Sequence, residues 1–210
     1  MRWIMVLALA VALMPGVPQR AEAEMYKGTE TAAYQVVRKV GPAELRRYDS
    51  LVVAEVTAEG DRAGAANRGF RVLAGYIFGG NAGSAKIAMT TPVAQAPAGE
   101  KIAMTTPVAQ MGSGTHWTVR FTMPGTYRLD TLPKPEDSRI RLFETPPRRV
   151  LVLGFSGTPT AAALDRATAS LRAIAKAERL ETTGMPEFLF YDSPFTLPWN
   201  RRNEVALTLR

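Results

Sequence analysis

Leu45-Arg46-Arg47-Tyr48-Asp49-Ser50-Leu51-Val52-Val53-Ala54-Glu55-Val56 is followed by Gly60-Asp61 and an alanine-rich run, and the same order returns from Ile140-Arg141-Leu142-Phe143 through Val150 to Phe155, Gly157 and a second alanine-rich run. Both blocks are rich in β-branched and large apolar residues, which fit two short strands. Asp61 is a capping residue, and Ala63, Ala66, Phe70, Leu73 and Ile77 recur at helical spacing up to Gly79-Gly80. Thr158-Pro159 opens a second helix with a capping side chain and a proline at the first position. Leu164, Ala167, Leu171, Ile174 and Glu178 share a face of it, and Gly184-Met185-Pro186 ends it.

Working outward, strands are predicted over 34–40, 43–48, 51–58, 116–123, 139–143, 149–155, 187–191 and 204–209, with a proline-rich loop over 126–137. The echo between the halves predicts an α+β fold: duplicated β-β-α-β-β units forming a distorted eight-stranded barrel, or saddle, flanked by two helices.

At the N-terminus Arg2 precedes an apolar run from Trp3 to Met14, Pro15-Gly16 breaks it, and Ala21-Glu22-Ala23 supplies small residues for cleavage. These are the three regions of a secretory signal. The run is too short to span ~30 Å of hydrocarbon, which needs about 20 helical residues. The expectation is therefore a signal peptide over 1–23, a single domain over 24–210, a periplasmic or secreted location, and no stable membrane insertion after cleavage. Cysteine is absent, so disulfides, thiolate metal sites, thiol chemistry and lipid attachment at a cysteine are excluded. Lys and Arg number 26 against 19 Asp and Glu. The cations fall in scattered pairs, Arg46-Arg47, Arg148-Arg149 and Arg201-Arg202, which reads as a solvated basic surface and not as a nucleic-acid stripe.

Lys86–Gln95 and Lys101–Gln110 both read KIAMTTPVAQ, a perfect repeat of period 15. Two copies do not make a solenoid. A local duplication that lengthens one connection, as a hairpin or an extended loop, is the expectation. The chain carries one histidine, His116, and neither Ser113 nor Ser156 sits in a nucleophile elbow. Gly79-Gly80-Asn81 ends a helix, so its amides do not cradle a phosphate. No catalytic residue and no metal site is predicted, and the protein is not expected to be an enzyme.

Binding is better supported. With Ala66, Phe70, Leu73 and Ile77 turned to the sheet, Arg68, Arg71, Val72 and Gly75 form a second face, toward solvent or a ligand. Gly75 inside a helix costs about 1 kcal/mol relative to alanine. Close approach of a flat ligand and close approach of another backbone are equally good reasons for it. Two arginines there suit carboxylates on an otherwise apolar molecule.

Ala43-Glu44-Leu45-Arg46-Arg47-Tyr48, Lys86–Val93, Trp117–Pro124, and Tyr191-Asp192-Ser193-Pro194 with Arg201–Val205 together resemble the SOUL haem-binding protein family across the whole mature chain. The resemblance implies non-covalent binding of haem or another tetrapyrrole in an apolar groove between the first helix and the loop Ser193–Trp199. It implies that Arg68 stands near the haem propionates and that Arg71, Val72 and Gly75 line the groove. Where a family member places an axial histidine this chain has Arg47, and Leu197 replaces a lysine of the opposing loop. No axial histidine is therefore predicted; contact, propionate pairing, or a ligand such as Met89, Met104, Tyr76 or His116 would hold the group. The alternative is a non-enzymatic envelope interaction module taking a peptide, lipid or protein partner. A regulatory effector-binding domain of similar duplicated architecture is disfavoured by the export signal.

Overall fold

The computed structural model describes residues 23–82 and 101–210. Along the chain come β1 (Met25–Tyr26), β2 (Thr29–Glu30), β3 (Gln35–Val40), β4 (Ala43–Tyr48), β5 (Leu51–Glu59), α1 (Arg62–Ile77), β6 (Asn81–Ala82), β7 (Val108–Ser113) and β8 (His116–Thr122). There follow β9 (Lys134–Pro135), β10 (Arg141–Thr145), β11 (Arg148–Phe155), α2 (Ala161–Ala177), β12 (Thr182–Phe190) and β13 (Asn203–Leu209). The main antiparallel sheet runs β10-β5-β8-β7-β12-β13-β11-β4-β3. If β4, β5, β7 and β8 are exchanged with β10, β11, β12 and β13, the order from β10 to β4 is unchanged. Each half lends its first strand to the other: β4 pairs with β11, and β10 with β5.

The large sheet and the two helices are as expected. The sheet has nine strands in an open order, and among the described residues no ladder joins its edges β10 and β3. The added strand is β7, which begins inside the second repeat copy. Val-Ala-Gln-Met-Gly-Ser holds one β-branched residue, and the repeat was expected as a hairpin or an extended loop within one connection, not as a strand of the main sheet. Its pairing with β8 and β12 makes the strand. The first repeat copy lies outside the described residues.

α1 packs on β8 and β5, α2 on β13 and β11. Leu73, Tyr76 and Ile77 form the first helix–sheet core with Val56, Val119 and Phe121; Leu164 and Leu171 form the second with Leu151, Val205 and Leu207. The buried stripe of α1 is Ala65, Gly69, Leu73, Tyr76 and Ile77, rotated from the predicted Ala66–Phe70 line. The reason is Gly69: a Cβ there would stand 2.5 Å from Val119 Cγ2, so the helix approaches β8 through the glycine. Phe70 is left half exposed, its ring meeting that of Phe121 edge-on at 5.4 Å.

α2 is capped by Thr160, whose hydroxyl accepts from Ala163 N–H, not by Thr158. It ends at Ala177, before the expected glycine, because Thr182–Phe190 is drawn into the sheet with an irregularity between Thr183 and Glu187.

The arginine pairs are not simply a solvated surface. Alternation along a strand turns one member inward. Arg46 is buried and donates two hydrogen bonds, of 2.8 and 3.0 Å, to the Glu204 carboxylate. Arg148 pairs with Glu187, while Arg149 stays exposed. These contacts lie on the face without helices, where Tyr48, Val150, Val152, Leu189, Tyr191 and Ala206 form a third core.

Candidate functional site

The C-terminal half of α1, Gly80 and the chain from Glu136 to Ile140 line an open depression of about 350 Å³. Its shape follows from how α1 ends. Phe78 N–H closes on Ala74 O, Gly80 N–H donates to Gly75 O at 2.8 Å, and the Asn81 amide donates to Tyr76 O at 2.8 Å. The chain then pairs as β6 with β9, and Glu136 N–H donates to Gly80 O at 3.2 Å. The loop carrying Glu136, Asp137 and Arg139 is thereby held against the helix.

Val72, Ile140 and the Tyr76 ring supply apolar surface. Tyr76 is buried, and its hydroxyl donates to Pro133 O at 2.9 Å. At Gly75 no heavy atom among the described residues lies within 4 Å of where a Cβ would stand. The backbone of Gly80 reaches the Gly75 carbonyl, but the side on which a Cβ would stand is open among the described residues.

Charge on the rim is unevenly committed. Arg139 clasps Asp137 through Nε and Nη2, the shortest contact 2.6 Å, and this hydrogen bonding holds the Asp137 carboxyl at about 2. Arg71 is exposed, and Nε makes a long 3.4 Å bond to Asn67 O; among the described residues it has no carboxylate partner. A guanidinium in that state is available to an anionic group.

Of the residues singled out in the sequence, Arg71, Val72 and Gly75 come together here. Arg68 lies on the same helix face, but its guanidinium folds back onto Glu59 O, between Gly60 and Gly64, and does not line the depression. Leu197 is held elsewhere. Its loop is fixed by Arg201, which donates to Thr196 O and Pro194 O, and by Pro198 O accepting from Gly157 N–H. Arg62, in the first turn of α1, donates to Pro159 O of that same β11–α2 connection. The loop thus adjoins the N-terminal end of α1, and the helix carries Gly75 roughly 20 Å further along its axis.

Of the far wall, Glu136 and Asp137 fall at the end of the expected proline-rich loop and Arg139 and Ile140 at the start of the strand expected over 139–143, which begins at Arg141; none of the four was expected at a site. An Asp137-x-Arg139 turn was the available signal.

A tetrapyrrole fits this site in part. Apolar floor, open glycine and an unpaired guanidinium match a flat molecule with carboxylates, received at one face or edge. The lining holds no imidazole, thioether or amine, and the Tyr76 hydroxyl is engaged. His116 lies exposed at the β7–β8 turn, 3.7 Å from Glu59, and Met104 is half exposed. Met89 lies outside the described residues. The cavity on the helix-free face, between Tyr48, Tyr191, Arg148 and Glu187, measures about 30 Å³. That is room for roughly one water molecule.

Comparison with known proteins places the chain. The family described as SOUL heme-binding protein matches residues 29–208. No curated protein gives a significant match. Among solved structures, the C-terminal domain of EcmrR is similar over 84% of this chain and 98% of its own, with a TM-score of 0.58 and 10% identity. A hydrolase from Listeria innocua is similar over 83% of this chain and 94% of its own, with a TM-score of 0.55 and 12% identity. At such identity the likeness shows the fold alone.

Proposed function

Because the chain belongs to the SOUL haem-binding protein family, we propose that it is an exported binding protein that takes haem or another tetrapyrrole into the depression beside α1. Family membership supports a non-covalent tetrapyrrole ligand, and the family is one of binding proteins, not of enzymes. The observation that carries the site is the uncommitted surface of α1. Arg71 has no carboxylate partner among the described residues, and Gly75 faces open space beside Val72 and Ile140. Arg71 pairs with a propionate, Gly75 lets the ring plane approach, and Val72 and Ile140 exclude water from it. The lining offers no imidazole, thioether or amine, so these residues would hold the group by shape and charge.

The unchanged strand order on exchange of halves supports an internal duplication, with β10 and β3 as the margins of an unclosed barrel. Export rests on the apolar run Trp3–Met14 and on Ala21-Glu22-Ala23; the mass of the mature protein recovered from the native host tests it. Among the described residues no helix is long and apolar enough to cross a membrane.

Titration with haemin, followed in the Soret band, tests the site. Gly75→Leu fills the depression and is expected to abolish the spectral change at micromolar protein. Arg71→Met is expected to weaken binding about tenfold, which equals the ~1.4 kcal/mol of one exposed charge-assisted contact. Unaltered titration of both variants by haemin places the ligand elsewhere.

A second reading, a partner-docking module without a tetrapyrrole, is favoured by the loop before β13. Phe195, Leu197 and Trp199 are 95, 53 and 70% exposed on a loop that the Arg201 guanidinium tethers by donating to Thr196 O and Pro194 O. If the loop serves the tetrapyrrole, Phe195→Ser with Trp199→Ser weakens haemin binding; if it serves a partner, the titration is unmoved.

A further inference from the structure

The repeat bears on how β7 is chosen. Lys101–Gln110 fills a slot with demanding chemistry. Ile102 is buried under α1, and its N–H donates to Ile77 O at 2.8 Å. The Thr105 hydroxyl donates to Thr122 O, and Thr106 bridges to the chain at Thr31, its N–H donating to Glu30 O at 2.9 Å. Val108, Ala109 and Gln110 pair on both sides, with Phe190, Leu189 and Phe188 of β12 and with Phe121, Arg120 and Val119 of β8. Gln110 is fully buried, its amide donating to Arg62 O at 2.8 Å.

Every side chain that meets these demands is present again fifteen residues earlier, as Ile87, Thr90, Thr91, Val93, Ala94 and Gln95. Register is ordinarily enforced because a slipped strand presents wrong side chains. A slip of one whole period presents identical ones.

We infer that the slot is degenerate and that β7 can be formed by either copy, as two registers of one fold. The flanks set the preference. After the second copy come Met111-Gly112-Ser113-Gly114, which close the β7–β8 hairpin; Gly112 at φ +140° would bring a Cβ to 2.4 Å from His116 O, and Gly114 has φ +59°. After the first copy the same places hold Ala96-Pro97-Ala98-Gly99, which cannot reproduce that hairpin. The second copy therefore wins, and the first substitutes when the second is damaged. Chain length permits this: Ala82 and Ile87 are five residues apart, a reach of up to about 17 Å, and Ala82 is likewise five residues beyond Ile77, whose carbonyl anchors the start of the slot. The exchange moves fifteen residues from the end of the slot beside Gly80 to the end beside His116.

Thermal unfolding of Ile87→Asp, Ile102→Asp and the double variant, in the full chain, tests this. Ile87→Asp is expected to be silent. Ile102→Asp is expected to keep a cooperative transition with Tm lowered by roughly 5–10 °C, and the double variant to lose the transition. Because the chain lacks cysteine, Thr91→Cys and Thr106→Cys report the occupant by thiol labelling. In the parent the probe at 106 is expected to be protected, as the burial of Thr106 implies. In Ile102→Asp the probe at 91 becomes protected by at least about tenfold. Ile102→Asp as unfolded as the double variant overturns the inference, and so does a folded Ile102→Asp in which position 91 still labels freely.

Discussion

Arginines gather at two places in this molecule and are treated oppositely. On the helix-free face Arg46 and Arg202 converge on Glu204, which also accepts from the Tyr191 hydroxyl at 2.8 Å; Arg46 stacks 4.2 Å from the Tyr34 ring centre and Arg202 4.1 Å from that of Tyr191. Their charges are answered within the fold. On α1, the hydrogen bonds of Arg68 and Arg71 among the described residues go to backbone carbonyls. A cation with its carboxylate inside the protein is structural; one without is open to a ligand. The difference teaches that net charge, +7 over the chain, says little about binding until each arginine is assigned a partner. It also makes a wager: changes to the arginine pairing in the first place should move stability, and changes to the arginines of the second should move binding alone.

The largest effect is expected from Glu204→Gln, which leaves Arg46 buried against a neutral amide. Breaking one partner of a buried ion pair removes about 3–5 kcal/mol. Urea denaturation measures it, and a loss below about 1 kcal/mol would erase the distinction between the two places. The pH dependence gives a second handle. Burial opposes ionisation of Glu204, but hydrogen bonds and charge from Arg46 and Arg202 outweigh it, so the carboxyl lies below its ordinary 4.5. A depressed folded-state value means that the unfolded chain binds the proton first. The contribution is present above about pH 4.5 and is lost as pH falls through the folded-state value. Thermal scans from pH 7 to 3 should show the parent declining more steeply than Glu204→Gln. Parallel curves would mean that the pair is not felt by the folding equilibrium.

Gly69 makes the next test, and it shows what the sequence could and could not reveal. Period made the two helices, the sheet class and the echo of the halves legible, because each is local and repeats; of the two expected caps Asp61 is the one in place, Thr160 standing where Thr158 was expected. The inward face of α1 was not legible: Phe70 is the more hydrophobic candidate, yet Gly69 faces β8, since the closeness of helix to sheet depends on Val119, fifty residues away. β7 escaped for the same reason, its strand character residing in β8 and β12. On the site, Arg71, Val72 and Gly75 stood out by helical spacing, whereas the wall at Glu136 to Ile140 arrives only through the β6–β9 pairing. Gly69→Ala should therefore destabilise by about 1–3 kcal/mol, even though alanine is the better helix former, because the added methyl meets Val119 in a packed core.

Gly75→Ala, six residues along the same helix, carries the smallest expected effect and the opposite sign. When α1 and α2 are aligned at their central leucines, Leu73 and Leu171, Gly69 falls opposite Ala167, while Arg71, Val72 and Gly75 fall opposite Ala169, Ser170 and Ala173. Helix α2 thus keeps alanine where α1 has a glycine whose Cβ position faces open space among the described residues. With no neighbour within 4 Å among the described residues, a Cβ at position 75 meets no steric barrier, and only backbone entropy and helix propensity remain. Stability should rise by up to about 1 kcal/mol, or roughly 2–4 °C in Tm. The same methyl narrows the surface proposed for the tetrapyrrole, so haemin binding should weaken as stability rises. A Gly75→Ala protein that is less stable than its parent would show that position 75 is already in contact within the fold, and the division between committed and open residues on α1 would have to be redrawn there.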